Sequence, residues 1–279
     1  MRRTCLAIVV TLMLTGCEQT SRLAYRAYQA FDHGRYQQAV DGYQRVLALN
    51  PNWPNASYNL GRSYLALGQL EPALAALDEA AHQDPTNPRV LVARAEAYER
   101  SNQTEQAQRD LLKATRLAPE WVEGWQRLVD LQLRLERPEA ALRTAERGLK
   151  KLPRVGALHR LRGESLLDLK HYAESELAFG KALEIDHEDI LARGGRALAR
   201  LGLDKLELAR QDISDAQQLE PENPQLLLAK AEVQERSGQL PEARATLQQV
   251  LDRPGLDPDT LKKATKKAAA LEERQLQAP

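Results

Sequence analysis

The chain has 279 residues, with 39 Lys and Arg against 39 Asp and Glu and a formal net charge of zero. That balance leaves no basic face on which nucleic acid could be held, so no nucleic-acid partner is expected. Aromatic residues make up 5% and charged residues 28% of the sequence, a composition that suits amphipathic helices with wet outer faces rather than sheet, and the expected fold class is all-α.

Residues 1–17, MRRTCLAIVVTLMLTGC, open with Arg2 and Arg3 and run apolar from Leu6 to Leu14. The run is too short to span a hydrocarbon core of about 30 Å but suits the apolar region of a secretory signal peptide. Its end, Leu14-Thr15-Gly16-Cys17, resembles the lipobox of bacterial lipoproteins. That resemblance implies a signal peptide over 1–16 and a Cys17 thiol carrying diacylglycerol, with palmitate-type acyl chains in the membrane. Cys5 leaves with the leader and no thiol follows Cys17, as suits an oxidising compartment. Glu18, where Asp would imply inner-membrane retention, favours the outer membrane. The expected location is the bacterial cell envelope, lipid-anchored and facing the periplasm. Residues 17–21 hold the lipidated Cys and a tether of at most about 15 Å when extended.

A repeated pattern then takes over. In Asn55 to Pro85, Leu60, Tyr64 and Leu67 share one helical face, Gly68 breaks the run, and Ala73, Leu77 and Ala80 form a second face before Pro85. A small residue opens the second helix at Ala39, Ala73, Ala107, Ala141, Ser175, Ala209 and Ala243. The first helix has its own small or compact position at Ala27, Gly61, Ala95, Val129, Gly163 and Ala231, and Pro51, Pro85, Pro119, Pro153 and Pro221 close the unit. This resembles the tetratricopeptide repeat, whose period is 34 residues. The resemblance implies a right-handed solenoid of seven helix-turn-helix repeats, spanning 20–53, 54–87, 88–121, 122–155, 156–189, 190–223 and 224–257, followed by a capping helix over 258–276.

Asn87-Pro88 and Asn223-Pro224 set an N-cap oxygen before a proline at the first helical position, and Pro54, Pro138 and Pro241 are expected in first turns. In the sixth repeat the strict frame would bring Arg193, Arg196 and Arg200 to core positions, at a high burial cost. A shift of the helix by two residues instead turns Leu191, Gly195, Leu198 and Leu201 inward, with a shortened entry at Asp186 to Asp189 and a longer turn near Leu203 and Asp204. Gly194 and Gly195 are read as close helix packing or as a hinge.

Binding residues follow from the resemblance, since the first helices of such repeats line a concave groove. Its N-terminal end here would carry Tyr25, Tyr28, Tyr58, Asn59 and Arg62. Exposed tyrosine gives wide contact at low entropic cost, although first-repeat tyrosines could equally shield an end. Farther along, Arg89, Arg127, Arg160, Arg193 and Arg196 would add uncompensated positive charge for an acidic or C-terminal peptide. Glu96 and Arg100, Asp130 and Arg134, and Glu232 and Arg236 are spaced as self-pairs along a helix. Of the two-carboxylate clamp found in the chaperone-binding subclass only Asn59 and, as Arg for Lys, Arg89 are present, so that clamp is not expected. His33, His82, His159, His171 and His187 fall at unrelated positions, and neither a nucleophile elbow nor a phosphate loop occurs. No metal, cofactor or small-molecule substrate is expected. The implied function is a non-enzymatic, membrane-anchored scaffold for one or more envelope proteins or peptides, serving assembly of a pilus, secretion or polysaccharide-export complex. The alternatives are an adaptor regulating a periplasmic enzyme such as a cell-wall hydrolase, and a periplasmic holdase.

Overall fold

The computed structural model describes residues 18–277, with side chains through Glu273. The leader and Cys17 lie outside the described residues. Within them the chain is helical and has no strand. Helix α1 covers residues 18–32, and α2 (Tyr36–Leu49), α3 (Ala56–Ala66), α4 (Leu70–Gln83), α5 (Pro88–Arg100) and α6 (Thr104–Leu117) follow. After Pro119 a second compact unit begins. It comprises α7 (Val122–Arg134), α8 (Pro138–Lys151), α9 (Gly156–Asp168), α10 (Tyr172–Ile185), α11 (Ile190–Gly202), α12 (Leu206–Leu219), α13 (Pro224–Arg236), α14 (Leu240–Leu251) and α15 (Pro258–Gln277). Unit 1 thus holds three helical hairpins, and unit 2 holds four hairpins and a last helix.

Close packing of the hairpins explains the small residues of the sequence. Ala39, Ala73, Ala107, Ala141, Ser175, Ala209 and Ala243 are each fully buried, at 0% exposure. Opposite them Gly61 is as tight, since a Cβ there would stand 2.5 Å from Leu77 Cγ. The turn within each hairpin imposes a second periodic demand. Gly34, Gly68, Asn102, Glu136, Lys170, Asp204 and Gly238 all have positive φ, between 54° and 76°. Four of the seven turns therefore hold a residue with a side chain in the left-handed region, which favours glycine. The geometry is set by the hairpin and imposed on whatever residue falls there.

Helix starts carry the expected caps. Asn87 Oδ1 accepts from Arg89 N, and Asn223 Oδ1 accepts from Gln225 N and Leu226 N, with proline at the first helical position in both. Pro54 departs from expectation. It precedes α3 instead of entering its first turn, because Asn55 adopts φ 60° and holds the helix off until Ala56. The spacer expected over 18–21 is itself helical, supported by a Glu18–Arg22 pair four residues apart.

The sixth repeat is not shifted. Helix α11 runs over the same frame as α5, α7, α9 and α13, and Ala197, at 0% exposure, occupies the compact position of the first helix. Of the residues expected inward, only Leu201 is fully buried, while Leu191 and Leu198 pack partly against the core. The arginines stay in frame because carboxylates meet them. Asp212 on α12, 1% exposed, accepts from Arg196 Nε at 3.0 Å and Nη2 at 2.6 Å, and from Arg200 Nη1 at 2.8 Å. Glu176 accepts from Arg200 Nε at 2.9 Å and Lys205 Nζ at 2.7 Å. Unit 1 repeats the device, Arg94 donating to Asp110 at 2.7 and 2.9 Å and to Asp78 at 2.9 Å. The desolvation cost that argued for a shift is offset by these charge-assisted bonds.

Gly195 is explained by its neighbour. A Cβ at Gly195 would stand 2.3 Å from Phe179 Cζ, and one at Gly163 2.9 Å from the same ring. Phe179, at 0% exposure, is the largest side chain of its layer, and the two glycines make room for it.

Candidate functional site

Five of the sequence-derived candidates come together in unit 1. Tyr28 of α1, Tyr58, Asn59 and Arg62 of α3, and Arg89 of α5 line one concavity of about 570 Å³ with Asn55, Asn87 and Pro88, within the range of small ligand and side-chain pockets. The three helices are first helices of successive hairpins, so their solvent-facing residues share one side of the stack.

The site is built in layers. Phe31 meets Tyr36 edge to face, centroids 5.4 Å apart. The Arg62 guanidinium lies over Phe31 at 4.6 Å and over Tyr58 at 5.6 Å from the ring centroids. Two aromatic faces thus hold the cation in place by charge–quadrupole attraction while leaving its N–H edge free to donate. Beneath, Tyr43 is 2% exposed. Burial pushes its phenol up to about 12, against a downward pull from Arg62 and with a further upward push from Tyr28. It is therefore a neutral packing group and not an anion that could compensate Arg62.

Arg62 and Arg89 form no ion pair among the described residues, and no carboxylate lines the concavity. The side-chain amides of Asn55 and Asn59 likewise make no hydrogen bond there, while Asn87 spends its oxygen on the Arg89 main chain at 3.1 Å. Tyr28 is 54% exposed. Two unpaired guanidinium groups, two open amides and two aromatic faces are a set that complements an anionic, partly apolar segment. Sequence reasoning missed Asn55 because its role depends on its left-handed backbone, and Asn87 because its capping role hid its place at the rim. Tyr25 is exposed on α1 but lies outside this concavity.

The other four candidates are in unit 2, and the expectation of uncompensated charge is corrected there for Arg160, Arg193 and Arg196. Arg160 pairs with Glu164 at 2.5 Å and lies 3.5 Å from Asp189. Arg193 pairs with Asp215 at 3.5 Å and donates to His187 O at 2.7 Å. Arg196 is held by Asp212, as above, and burial raises the pKa of Asp130 against the opposing pull of Arg160, Arg134 and Arg127. Arg160, Arg193 and Arg196 each have a carboxylate from a neighbouring turn or helix, a pairing that the position within a repeat does not reveal. One self-pair is corrected as well. Glu96 and Arg100 do approach to 3.9 Å, but Glu232 pairs with Lys267 and Arg236 with Asp204. Arg134 acts on Asp130 and also stands 4.0 Å from Asp259.

Antiparallel helical hairpins on a strict 34-residue frame, with side chains presented from their first helices, define a repeat-built protein-interaction module. Three family models, each described as tetratricopeptide repeat, match residues 30–95, 88–120, and 127–189 with 195–259. The chain belongs to the tetratricopeptide repeat family. Among solved structures it is similar to a tetratricopeptide repeat protein from Parabacteroides merdae ATCC 43184, at 19% identity and TM-score 0.73, covering 90% of this chain and 99% of that one. It is also similar to Pseudomonas aeruginosa pilF, at 16% identity and TM-score 0.63, covering 78% and 99%. A third is YrrB, described as a tetratricopeptide protein with an unusual peptide-binding site, at 20% identity and TM-score 0.53, covering 67% and 97%. No curated protein sequence matches the chain.

Proposed function

We propose that this protein is a non-enzymatic scaffold, anchored to the bacterial outer membrane through a lipid on Cys17, that takes an acidic segment of an envelope protein into the Tyr28–Arg89 concavity. One observation carries the reading: Arg62 and Arg89 face a common space with no carboxylate to answer them, Arg62 being fixed on Phe31 and Tyr58. A carboxylate placed between them gains two charge-assisted donors, and apolar parts of the same segment lie on Tyr28 and Tyr58. Tetratricopeptide repeats are in general protein-interaction modules, and one structurally similar protein is described as having a peptide-binding site. The lipobox-like Leu14-Thr15-Gly16-Cys17 supports the anchor. Assembly of a pilus, secretion or polysaccharide-export complex is the role that such a placement would serve.

The test is photo-crosslinking in the native host from Tyr28 or Tyr58, with Gln44 and Arg109 as controls, followed by binding of the captured protein to purified full-length chain. Capture of one envelope protein from the tyrosines alone is expected, with affinity that falls with salt and in Arg62→Ala and Arg89→Ala. Binding that survives both substitutions, or capture only from the controls, sinks the reading of the site. Retention of a Cys17→Ala chain in the membrane sinks the anchor.

A further inference from the structure

Helix α1 starts at residue 18, so no spacer separates it from Cys17, whose Cα is one peptide, about 3.8 Å, away. Its inner side, on which Thr20, Ala27 and Ala30 are buried, packs into the core of the first hairpin. The opposite side carries Glu18, Arg22, Tyr25 and Gln29 at three- and four-residue intervals, a single stripe of a helix. Tyr25 is 62% exposed and lies about 12 Å from Cys17 along the helix axis. Arg22 pairs with Glu18 within the stripe. Arg26 flanks it in the open, with no ion pair among the described residues.

The end of α2 returns to the same end of the hairpin. A Cβ at Gly42 would stand 2.7 Å from Ala27 Cβ, so Gly42 marks the side of α2 that faces α1. Leu49 lies seven residues, two turns, farther along that side. Because the two helices run antiparallel, those turns lead from Ala27 back to the level of Thr20, beside the start of α1. There Leu49 is 56% exposed, and Arg45, one turn before it, is also exposed and has no ion pair among the described residues. An open tyrosine, an open leucine and three arginines thus lie around the point where Cys17 joins the hairpin. Among the described residues no helix is long and apolar enough to cross a membrane, and this set has the make-up of a surface contact. Tyrosine is enriched at the level of lipid headgroups, arginine is drawn to anionic lipid, and leucine supplies apolar area to bury.

We propose that this end of unit 1 is a membrane footprint, in which Arg22, Tyr25, Arg26, Arg45 and Leu49 lie on the headgroups of a bilayer that contains anionic phospholipid. The inference rests on the lipid anchor at Cys17 proposed above. The anchor supplies the affinity and holds the face at high effective concentration over the surface, so contacts too weak to recruit the chain by themselves fix its orientation. The occupant follows from that connection. A helix that begins one peptide from an acylated Cys has the bilayer beside it before any partner arrives, and the arginines match the charge of its lipids. Tyr28, one turn beyond Tyr25, opens on the unit 1 concavity. The rim of the candidate site is therefore held close to the headgroups, and a partner segment enters it alongside the membrane.

Fluorescence quenching by labelled lipid tests the footprint. The chain is matured in a host that processes lipoproteins, its acyl mass is verified, and it is reconstituted into vesicles of phosphatidylethanolamine and phosphatidylglycerol. The matured chain has no free thiol, since Cys5 leaves with the leader and Cys17 holds the diacylglycerol. A bimane is then placed at Tyr25→Cys, at Leu49→Cys, or at Arg109→Cys on α6 as a control. A lipid with a nitroxide near its headgroup is expected to quench the first two several-fold more than the third. Arg22→Glu/Arg26→Glu/Arg45→Glu should lower quenching at position 49 several-fold while the acylated chain stays on the vesicles. Exchange of phosphatidylglycerol for phosphatidylcholine should do the same to the chain with its arginines intact, and decides should the triple variant not fold. Quenching as strong at position 109, or indifferent to the arginines or to the anionic lipid, overturns the footprint. Absence of quenching at positions 25 and 49 overturns it as well and leaves the face to a protein partner, with the anchor intact. A purified chain without the acyl mass removes the anchor, and the footprint with it.

Discussion

Two adjacent glycines in α11 should respond oppositely to the same substitution. At Gly194 an added Cβ meets nothing nearer than Ala229 Cβ at 3.7 Å and Leu226 Cδ1 at 3.8 Å, ordinary contacts. Gly194→Ala then keeps the full helix-propensity gain of alanine over glycine, about 1 kcal/mol. At Gly195 the same methyl would stand 2.3, 2.5 and 2.8 Å from three atoms of the Phe179 ring. The ring cannot retreat toward α9, because the space at Gly163 is already taken up to 2.9 Å. Overpacking of a rigid core costs about 1–3 kcal/mol and sometimes more. With the ring pinned on both sides the upper part of that range applies, and after the propensity gain Gly195→Ala should lose about 1–2 kcal/mol. Native-state hydrogen exchange across α10 and α11 reads both changes locally: protection should rise up to about fivefold in Gly194→Ala and fall about five- to thirtyfold in Gly195→Ala. Phe179→Leu, which removes the ring, should abolish most of the Gly195→Ala penalty in a double-mutant cycle. Equal responses at the two glycines would refute the packing argument and favour a hinge at this point, the alternative that the sequence left open.

Two further outcomes follow from the same geometry. Lys170 holds φ 60° in the turn between α9 and α10, so Lys170→Gly should raise the melting temperature by relieving about 1 kcal/mol of left-handed strain; a fall in melting temperature would show that the side chain matters more than the backbone. Tyr43, raised to about 12 by burial, keeps its proton in the folded state over a range where the unfolded chain loses it near the ordinary value of 10. Its contribution is therefore complete below about pH 10 and is lost as pH rises toward 12, by about 2–3 kcal/mol in all. Alkaline titration followed by tyrosinate absorbance should show a late component near pH 12 that moves to the ordinary range in a chain unfolded by urea and is lost in Tyr43→Phe, while Tyr98, also raised by burial, still titrates late.

The sequence by itself determined the hairpins and their stacking. A 34-residue frame of buried small residues, from Ala39 to Ala243, is a local pattern repeated, and a repeat packs only on its neighbours; the period therefore specifies the fold without knowledge of distant contacts. Caps at Asn87 and Asn223 are equally local. The family resemblance also named five residues of the unit 1 concavity, because it implies which first-helix positions line the groove. What only the tertiary structure decided is which charges meet. Arg196 finds Asp212 sixteen residues on, Arg160 finds Asp189, and Lys267 takes Glu232 from its neighbour Arg236. A chain with equal numbers of acids and bases offers many pairings of similar spacing, and Coulomb energy chooses among them by distances and burial that the fold creates. Arg62 and Arg89 were left unanswered by the same arithmetic, and Asn55 came to their side through a backbone twist at φ 60° that no periodicity announces.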